Sequence, residues 1–296
     1  MINETERGST LTLRQGMRRF HVICAVAATG LGLAYLVMAG APLKYAVVNA
    51  LALVVGLAVA AIVAFPGVRA SISSGSSIVA VGILLLATAL FGSSLEGTTR
   101  WINIGGLSLQ PSLILIPLMV MAYATSREWI ATLGMVTAAI AMAWQPDRAM
   151  AGTLMAGLGA VFSVRRQGQV GLAFATAILG FIVTMIRPDT LPGMPFVEQV
   201  YSTTFGVSAW AGMAVFIGTI LMLVPAIDGW RGEPQERPLY LAFSAVWSAV
   251  MVAAALGNYP TPVVAYGSSS ILGYVISLAL LPRRKTQTAE KRQDLS

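Results

Sequence analysis

The residues of this 296-residue chain that could do chemistry lie between long apolar segments. Arginine suits a phosphate or pyrophosphate group, because its planar fork binds such oxyanions with two parallel hydrogen bonds. A carboxylate suits a general base toward a sugar hydroxyl, or a ligand for a divalent cation. Together, such residues could line a cleft for an anionic, hydroxyl-rich substrate. The candidates are Arg100, Trp101, Gln110, Asp147, Arg187, Asp189, Glu198, Tyr266 and Ser269.

Taken one at a time, these candidates have ordinary structural explanations. Trp101 fits an aromatic anchor at a membrane surface. Residues 145–148 read Gln-Pro-Asp-Arg, which fits a tight turn with an exposed ion pair. The small residues after Tyr266 fit close packing between membrane helices. Glu198 alone is typical of a solvated loop carboxylate. Only the order of these features along the chain therefore favours a functional site.

The composition decides which elements must position the candidates. The chain is 56% hydrophobic and only 10% charged, with a mean hydropathy of +0.76, whereas a soluble domain carries about 25% charged residues. This predicts an all-α integral membrane protein. In such a protein the net charge of +7 does not indicate a nucleic-acid partner. The single cysteine, Cys24, gives neither a disulfide framework nor a cysteine metal site.

The hydropathy pattern predicts ten transmembrane helices, since each needs about 20 apolar residues. The basic residues support this count, because 15 of the 19 then lie inside and only Lys44, Arg100, Arg148 and Arg187 lie outside. Both termini are then cytoplasmic, with an N-terminal tail at 1–20, a ten-helix domain at 21–282 and a C-terminal tail at 283–296. The expected spans are 21–40, 45–65, 77–92, 107–124, 129–145, 149–164, 169–187, 205–227, 239–257 and 262–282.

Three short motifs at the ends of these spans resemble those of one family, the SEDS proteins (shape, elongation, division and sporulation). These are peptidoglycan polymerases of the FtsW, RodA and SpoVE type, with ten spans and both termini inside. The chain resembles a divergent and shortened member from about residue 77 onward. The matching residues are Arg100-Trp101 with Gln110-Pro111-Ser112 at span four, Gln145-Pro146-Asp147 between spans five and six, and Pro260, Pro262 and Tyr266-Gly267-Ser268-Ser269-Ser270 at span ten.

The resemblance implies a multi-pass protein of the bacterial inner (plasma) membrane that polymerises lipid II on the outer face. Glu198 aligns with the family's catalytic aspartate and would be the base, although another register would use Asp189. Arg100 would contact pyrophosphate, Asp147 a cation or sugar, and Arg187, more weakly, phosphate. Trp101, Gln110, Tyr266 and Ser269 complete the implied substrate site. The resemblance also implies membrane lipid and a class B penicillin-binding protein as partners, and Mg²⁺ or Mn²⁺ as the one cofactor.

The chain departs from the family pattern at two kinds of position. The family has Glu and Lys where this chain has Leu113 and Ile116, and its long catalytic loop between spans seven and eight is short here. A second hypothesis is therefore a non-catalytic SEDS-like scaffold, or a binder of lipid-linked precursor that partners a penicillin-binding protein. A third is a protein that handles another polyprenyl-linked glycan. An ion carrier is not favoured, because no acid or base lies in the middle of a span.

Overall fold

The chain folds into a bundle of helices with one small β-hairpin region at one end. The computed structural model describes residues 4–95, 98–105, 107–126, 128–187, 193–229, 234–264 and 269–282. Within these ranges it forms α1 (Glu4–Met38), α2 (Leu43–Val63), α3 (Pro66–Ile72), α4 (Gly75–Phe91), β1 (Ser93–Leu95), β2 (Thr98–Ile104), β3 (Leu107–Leu109), α5 (Pro111–Thr125), α6 (Trp129–Trp144), α7 (Arg148–Val164), α8 (Gly168–Ile186), α9 (Val200–Val207), α10 (Ala209–Gly229), α11 (Arg237–Leu256) and α12 (Ser269–Leu278).

Local sequence signals explain where several helices begin. Pro66 and Pro111 stand in the first turns of α3 and α5, where a missing N–H group costs no helical hydrogen bond. Ser74 caps α4 by accepting a hydrogen bond from the Ser77 amide at 3.3 Å, and Asp147 caps α7. These caps satisfy amide groups that the first helical turn leaves without partners.

Every expected span has a helix in the structure, but the helices differ in length. Five of the described helices are long and apolar enough to cross a membrane: those within Phe20–Met38, Leu43–Val63, Gly168–Ile186, Ala209–Ile227 and Arg237–Leu256. The pair α3 and α4, bent by 60°, would make a sixth. The remaining four, α5, α6, α7 and α12, are apolar but only 10–17 residues long. The exact count of ten spans therefore stays a prediction.

Several expected boundaries were wrong. Span four, expected at 107–124, begins at Pro111, because residues 107–109 pair as β3 with β2. Gly105, at φ +56°, makes the turn between these strands, a conformation that glycine adopts without steric cost. In span ten, expected at 262–282, the described residues 262–264 are not helical, and the described helix is Ser269–Leu278. Span eight, expected at 205–227, is interrupted by the extended residue Ser208 between α9 and α10.

The two predicted tails have different outcomes. The backbone of α1 begins at Glu4, so most of the predicted tail 1–20 continues the first helix. The tail 283–296 lies outside the described residues.

Glycine lets two helix pairs approach closely, as small residues do in membrane proteins. A Cβ atom on Gly82 of α4 would lie 2.6 Å from the carbonyl oxygen of Gly134 in α6. A Cβ atom on Gly273 of α12 would overlap the carbonyl oxygen of Leu113 in α5. The second approach holds the start of α12 against the start of α5, where the candidate site lies.

Candidate functional site

Asp147 is the centre of a buried group of polar side chains. It has no exposed surface. Its Oδ2 accepts hydrogen bonds from Gln110 Nε2 at 2.9 Å and from Ser112 Oγ at 3.0 Å. Its Oδ1 accepts one from the backbone N–H of Met150 at 3.2 Å, which is the cap of α7. One carboxylate therefore joins the start of α7 to the start of α5.

Ser269 joins the start of α12 to the same group. Its Oγ accepts a hydrogen bond from the backbone N–H of Gln110 at 2.9 Å, and both residues are buried. The next residue, Ser270, donates from Oγ to the carbonyl oxygen of Pro262 at 3.3 Å. The motifs of spans four, six and ten thus meet at one end of the bundle.

Arg100 reaches this end from strand β2. Its side chain is only 3% exposed, and its Nη2 donates to the carbonyl oxygen of Pro146 at 2.6 Å. A charged donor bound to a backbone carbonyl holds the turn that carries Asp147. We call Arg100, Gln110, Ser112, Asp147 and Ser269 the polar network. Trp101, next on the strand, is half-buried and pairs through its backbone with Ser93 of β1.

Glu198 lies on a loop that contacts Pro260 and Thr261. We call residues 193–199 the Glu198 loop. The half-buried Glu198 accepts a hydrogen bond at Oε2 from the backbone N–H of Met194 at 2.9 Å. Its backbone forms a bridge with Pro260, and the N–H of Thr261 donates to Val197 O at 2.9 Å. The loop is thereby fixed to residues 260–262.

The Glu198 loop is linked to the polar network through these same residues. Pro262, directly after Thr261, accepts from Ser270, and Ser270 follows the network residue Ser269. The loop closes with Gln199 at φ +58°, in the left-handed region, and Gln199 Nε2 donates to Asn258 Oδ1 at 2.7 Å. A continuous path of backbone and side-chain contacts therefore runs from Arg100 to Glu198.

The structure does not bring all the candidates together. Arg187 is exposed, and within the described residues it forms no hydrogen bond with the polar network. Its Nη1 donates to the carbonyl oxygens of Ala143 at 3.1 Å and Trp144 at 3.0 Å, at the end of α6. Tyr266 and Asp189, the alternative base, lie outside the described residues. The substrate roles of all these residues stay predictions.

The described residues do not fit a divalent cation. They include no group of three His, Cys, Asp or Glu side chains. Asp147, the candidate cation ligand, already accepts three hydrogen bonds in a site closed to solvent. Binding of Mg²⁺ or Mn²⁺ therefore stays a prediction.

The sequence does not show that Ser112 contacts Asp147, although Ser112 stands two residues after Gln110 in the first turn of α5. Nor does it show how deeply Leu113 and Ile116 are buried. Leu113 and Ile116 replace the family's Glu and Lys and are 4% and 0% exposed, inside the hydrophobic core. This chain therefore builds apolar packing where the family pattern has charges.

The same arrangement of helices is found in solved structures. Rod shape determining protein RodA from Thermus thermophilus matches with a TM-score of 0.66 and 20% identity, over 88% of this chain and 94% of that one. The chain has the SEDS fold. A mutant of the same RodA matches with a TM-score of 0.65 and 20% identity, over 88% and 94%. A chain from work on a peptidoglycan synthase complex matches with a TM-score of 0.61 and 22% identity, over 88% and 95%.

These likenesses lie in the structure, since no family model and no curated protein matches the sequence. The SEDS fold and the apolar helices are those of a multi-pass membrane protein. The family resemblance seen in the motifs is thus confirmed at the level of the fold.

Proposed function

We propose that this SEDS-fold chain acts in peptidoglycan synthesis and polymerises lipid II, with Glu198 as the general base. The observation that carries the proposal is the placement of Glu198. Its loop is fixed to residues 260–262, which lead through Ser270 to the polar network. A carboxylate oriented by a backbone N–H, on a loop linked by contacts to three converging helix starts, is suited to act on a bound glycan.

In the proposed reaction, Glu198 takes the proton from the 4-hydroxyl of the acceptor sugar. The oxygen then attacks the anomeric carbon of the donor, and the bond from that carbon to the pyrophosphate oxygen breaks. The polyprenyl pyrophosphate leaves. The Met194 N–H orients the Glu198 carboxylate, and a base must lie within about 2.6–3.2 Å of the proton-bearing oxygen.

Arg100 and Asp147 take part in this proposal as positioning residues. Both are buried and bonded to protein groups. Arg100 holds the turn at Pro146, and Asp147 ties that turn to α5. The pyrophosphate contact of Arg100 stays a prediction, because its side chain is buried and its Nη2 donates to Pro146 O.

The membrane placement completes the proposal. Ten spans with cytoplasmic termini put the polar network and the Glu198 loop on the outer face of the bacterial inner membrane. A class B penicillin-binding protein is the proposed partner. This is supported by the likeness to a chain from a peptidoglycan synthase complex.

A second candidate function is a non-catalytic SEDS-like scaffold or binder of lipid-linked precursor. The observation that favours it is the burial of Leu113 and Ile116 in the core. Those positions carry a Glu and a Lys in the family pattern, so a charge pair is replaced by packing. Such a protein would keep the fold and bind the precursor without extending a glycan.

Binding and polymerisation must be measured on the same samples to separate the two candidates. Purified protein would be given labelled lipid II, and both bound lipid and product length would be recorded for wild type and Glu198→Ala. Glu128→Gln is the control. Glu128 lies where α4 and α6 begin, at the opposite end of α6 from the polar network, and it accepts a hydrogen bond from the Gly75 amide. We expect polymer from wild type and Glu128→Gln and none from Glu198→Ala. Lipid II binding without polymer in all three would support the scaffold, and full polymer from Glu198→Ala would refute the proposed base.

A further inference from the structure

An apolar groove runs between α6 and α8, on a side of the bundle that the proposed reaction does not use. Its volume is about 360 Å³. Its lining includes Ala139, Ala143 and Trp144 of α6, Leu179 and Val183 of α8, and Arg187, which directly follows α8. Nearly all the lining is apolar, and the one charged residue, Arg187, stands at the end of the groove near the polar network.

A second arginine lies beside Arg187. Arg148 donates from Nη2 to the backbone oxygen of Arg187 at 3.1 Å. Arg187 uses Nη1 for the last carbonyls of α6. Within the described part of the chain, neither guanidinium forms an ion pair with a carboxylate. Two positive charges therefore stand together at one end of an apolar groove.

Tryptophan marks the depth of this charged end in a bilayer. Trp129 and Trp144 begin and end α6, and they are 63% and 57% exposed. Exposed tryptophans at both ends of an apolar helix are typical of the two headgroup levels of a membrane. Arg187, bonded to the Trp144 carbonyl, therefore lies at a headgroup level, while the groove extends into the hydrocarbon region.

We propose that this groove binds one acyl chain of an anionic phospholipid, with the lipid phosphate against Arg187 and Arg148. Charge complementarity selects an anionic headgroup over a zwitterionic one, because basic residues at this level attract anionic lipids. A groove of this volume has room for part of one acyl chain.

The test measures lipid affinity on the full-length protein. Native mass spectrometry would compare phosphatidylglycerol with phosphatidylcholine of the same acyl chains, for wild type and single variants. Each basic residue near an anionic lipid contributes about 1 kcal/mol, which is about fivefold. We therefore expect Arg187→Gln and Arg148→Gln each to lower phosphatidylglycerol affinity about fivefold, and Arg187→Lys to retain most of it. Arg237→Gln, which removes an exposed charge at the start of α11 outside this groove, is the matched control and should lower phosphatidylglycerol affinity less than the two groove variants.

A steric variant tests the groove itself. Ala143→Phe fills it while keeping both arginines, so both lipids should bind more weakly. Thermal unfolding would confirm that each variant is folded. If Arg187→Gln does not fold, Arg148→Gln tests the charge at the end of the groove in its place. Equal preference for phosphatidylglycerol in wild type and both glutamine variants would overturn the proposal. The proposal would also be overturned if an equal concentration of polyprenyl phosphate displaced phosphatidylglycerol and if Ala143→Phe weakened the binding of polyprenyl phosphate. The occupant of the groove would then be the polyprenyl lipid.

Discussion

Replacing Asp147 with alanine tests whether the polar network is a structural joint. The change removes the acceptor of the Gln110, Ser112 and Met150 hydrogen bonds in a site with no exposed surface. Loss of the helix cap costs about 1 kcal/mol, and each of the two side-chain bonds to a charged acceptor about 1.5–3 kcal/mol. Together this is about 4–7 kcal/mol, an upper bound because removal of a buried carboxylate also removes its desolvation cost.

The assay is thermal unfolding of the purified protein in one detergent. At about 2–4 °C for each kcal/mol, the upper bound corresponds to about 8–28 °C, so Asp147→Ala should melt below wild type by up to about that much. The melting temperature of Asp147→Asn, which keeps one acceptor oxygen, should lie between those of wild type and Asp147→Ala. Glu128→Ala is the control, since among the described residues that exposed carboxylate accepts only the Gly75 amide, so the change should have little effect. If Asp147→Ala and Glu128→Ala melted together, Asp147 would not join α5 to α7, and the description of the network would be wrong.

Two further changes probe the helix starts around the network. Gly273→Ala should lower the free energy of unfolding by about 1–3 kcal/mol through overpacking against Leu113 O. Gly30→Ala, where nothing lies within 4 Å of the added Cβ, should not, and chemical unfolding of both variants checks the difference. Ser269→Ala should lower stability by about 1–3 kcal/mol, because the buried Gln110 N–H loses its acceptor. Ser269→Thr retains a hydroxyl and is the comparison in the same unfolding assay.

The sequence predicted the helices better than the segments between them. Backbone groups in lipid must be bonded within their own helix, so long apolar runs such as residues 43–63 can only be helical. The strands around Arg100 depend on pairing between β1, β2 and β3, which the composition of any one segment does not determine. The break at Ser208 is a change of backbone direction within an apolar run, so hydropathy alone does not show it.

The sequence indicated part of the polar network but not its exposure, and the substrate roles of its residues stay predictions. The motif order placed Gln110, Asp147 and Ser269 at the ends of different spans, and the structure joins all three. Burial depends on how helices pack, so the sequence did not show that Asp147 is closed to solvent. The sequence also did not show that Arg187, which lies at the end of a span, lines the groove between α6 and α8.

The most direct test of the central claim is the rate of lipid II polymerisation by Glu198→Gln and Glu198→Asp, measured against wild type. Glutamine keeps the size and an acceptor oxygen for the Met194 N–H but cannot take a proton. Aspartate keeps the base but shortens its reach by one methylene. We expect no polymer from Glu198→Gln and reduced but measurable polymer from Glu198→Asp, with both proteins folded. Wild-type rates from Glu198→Gln would rule out Glu198 as the general base.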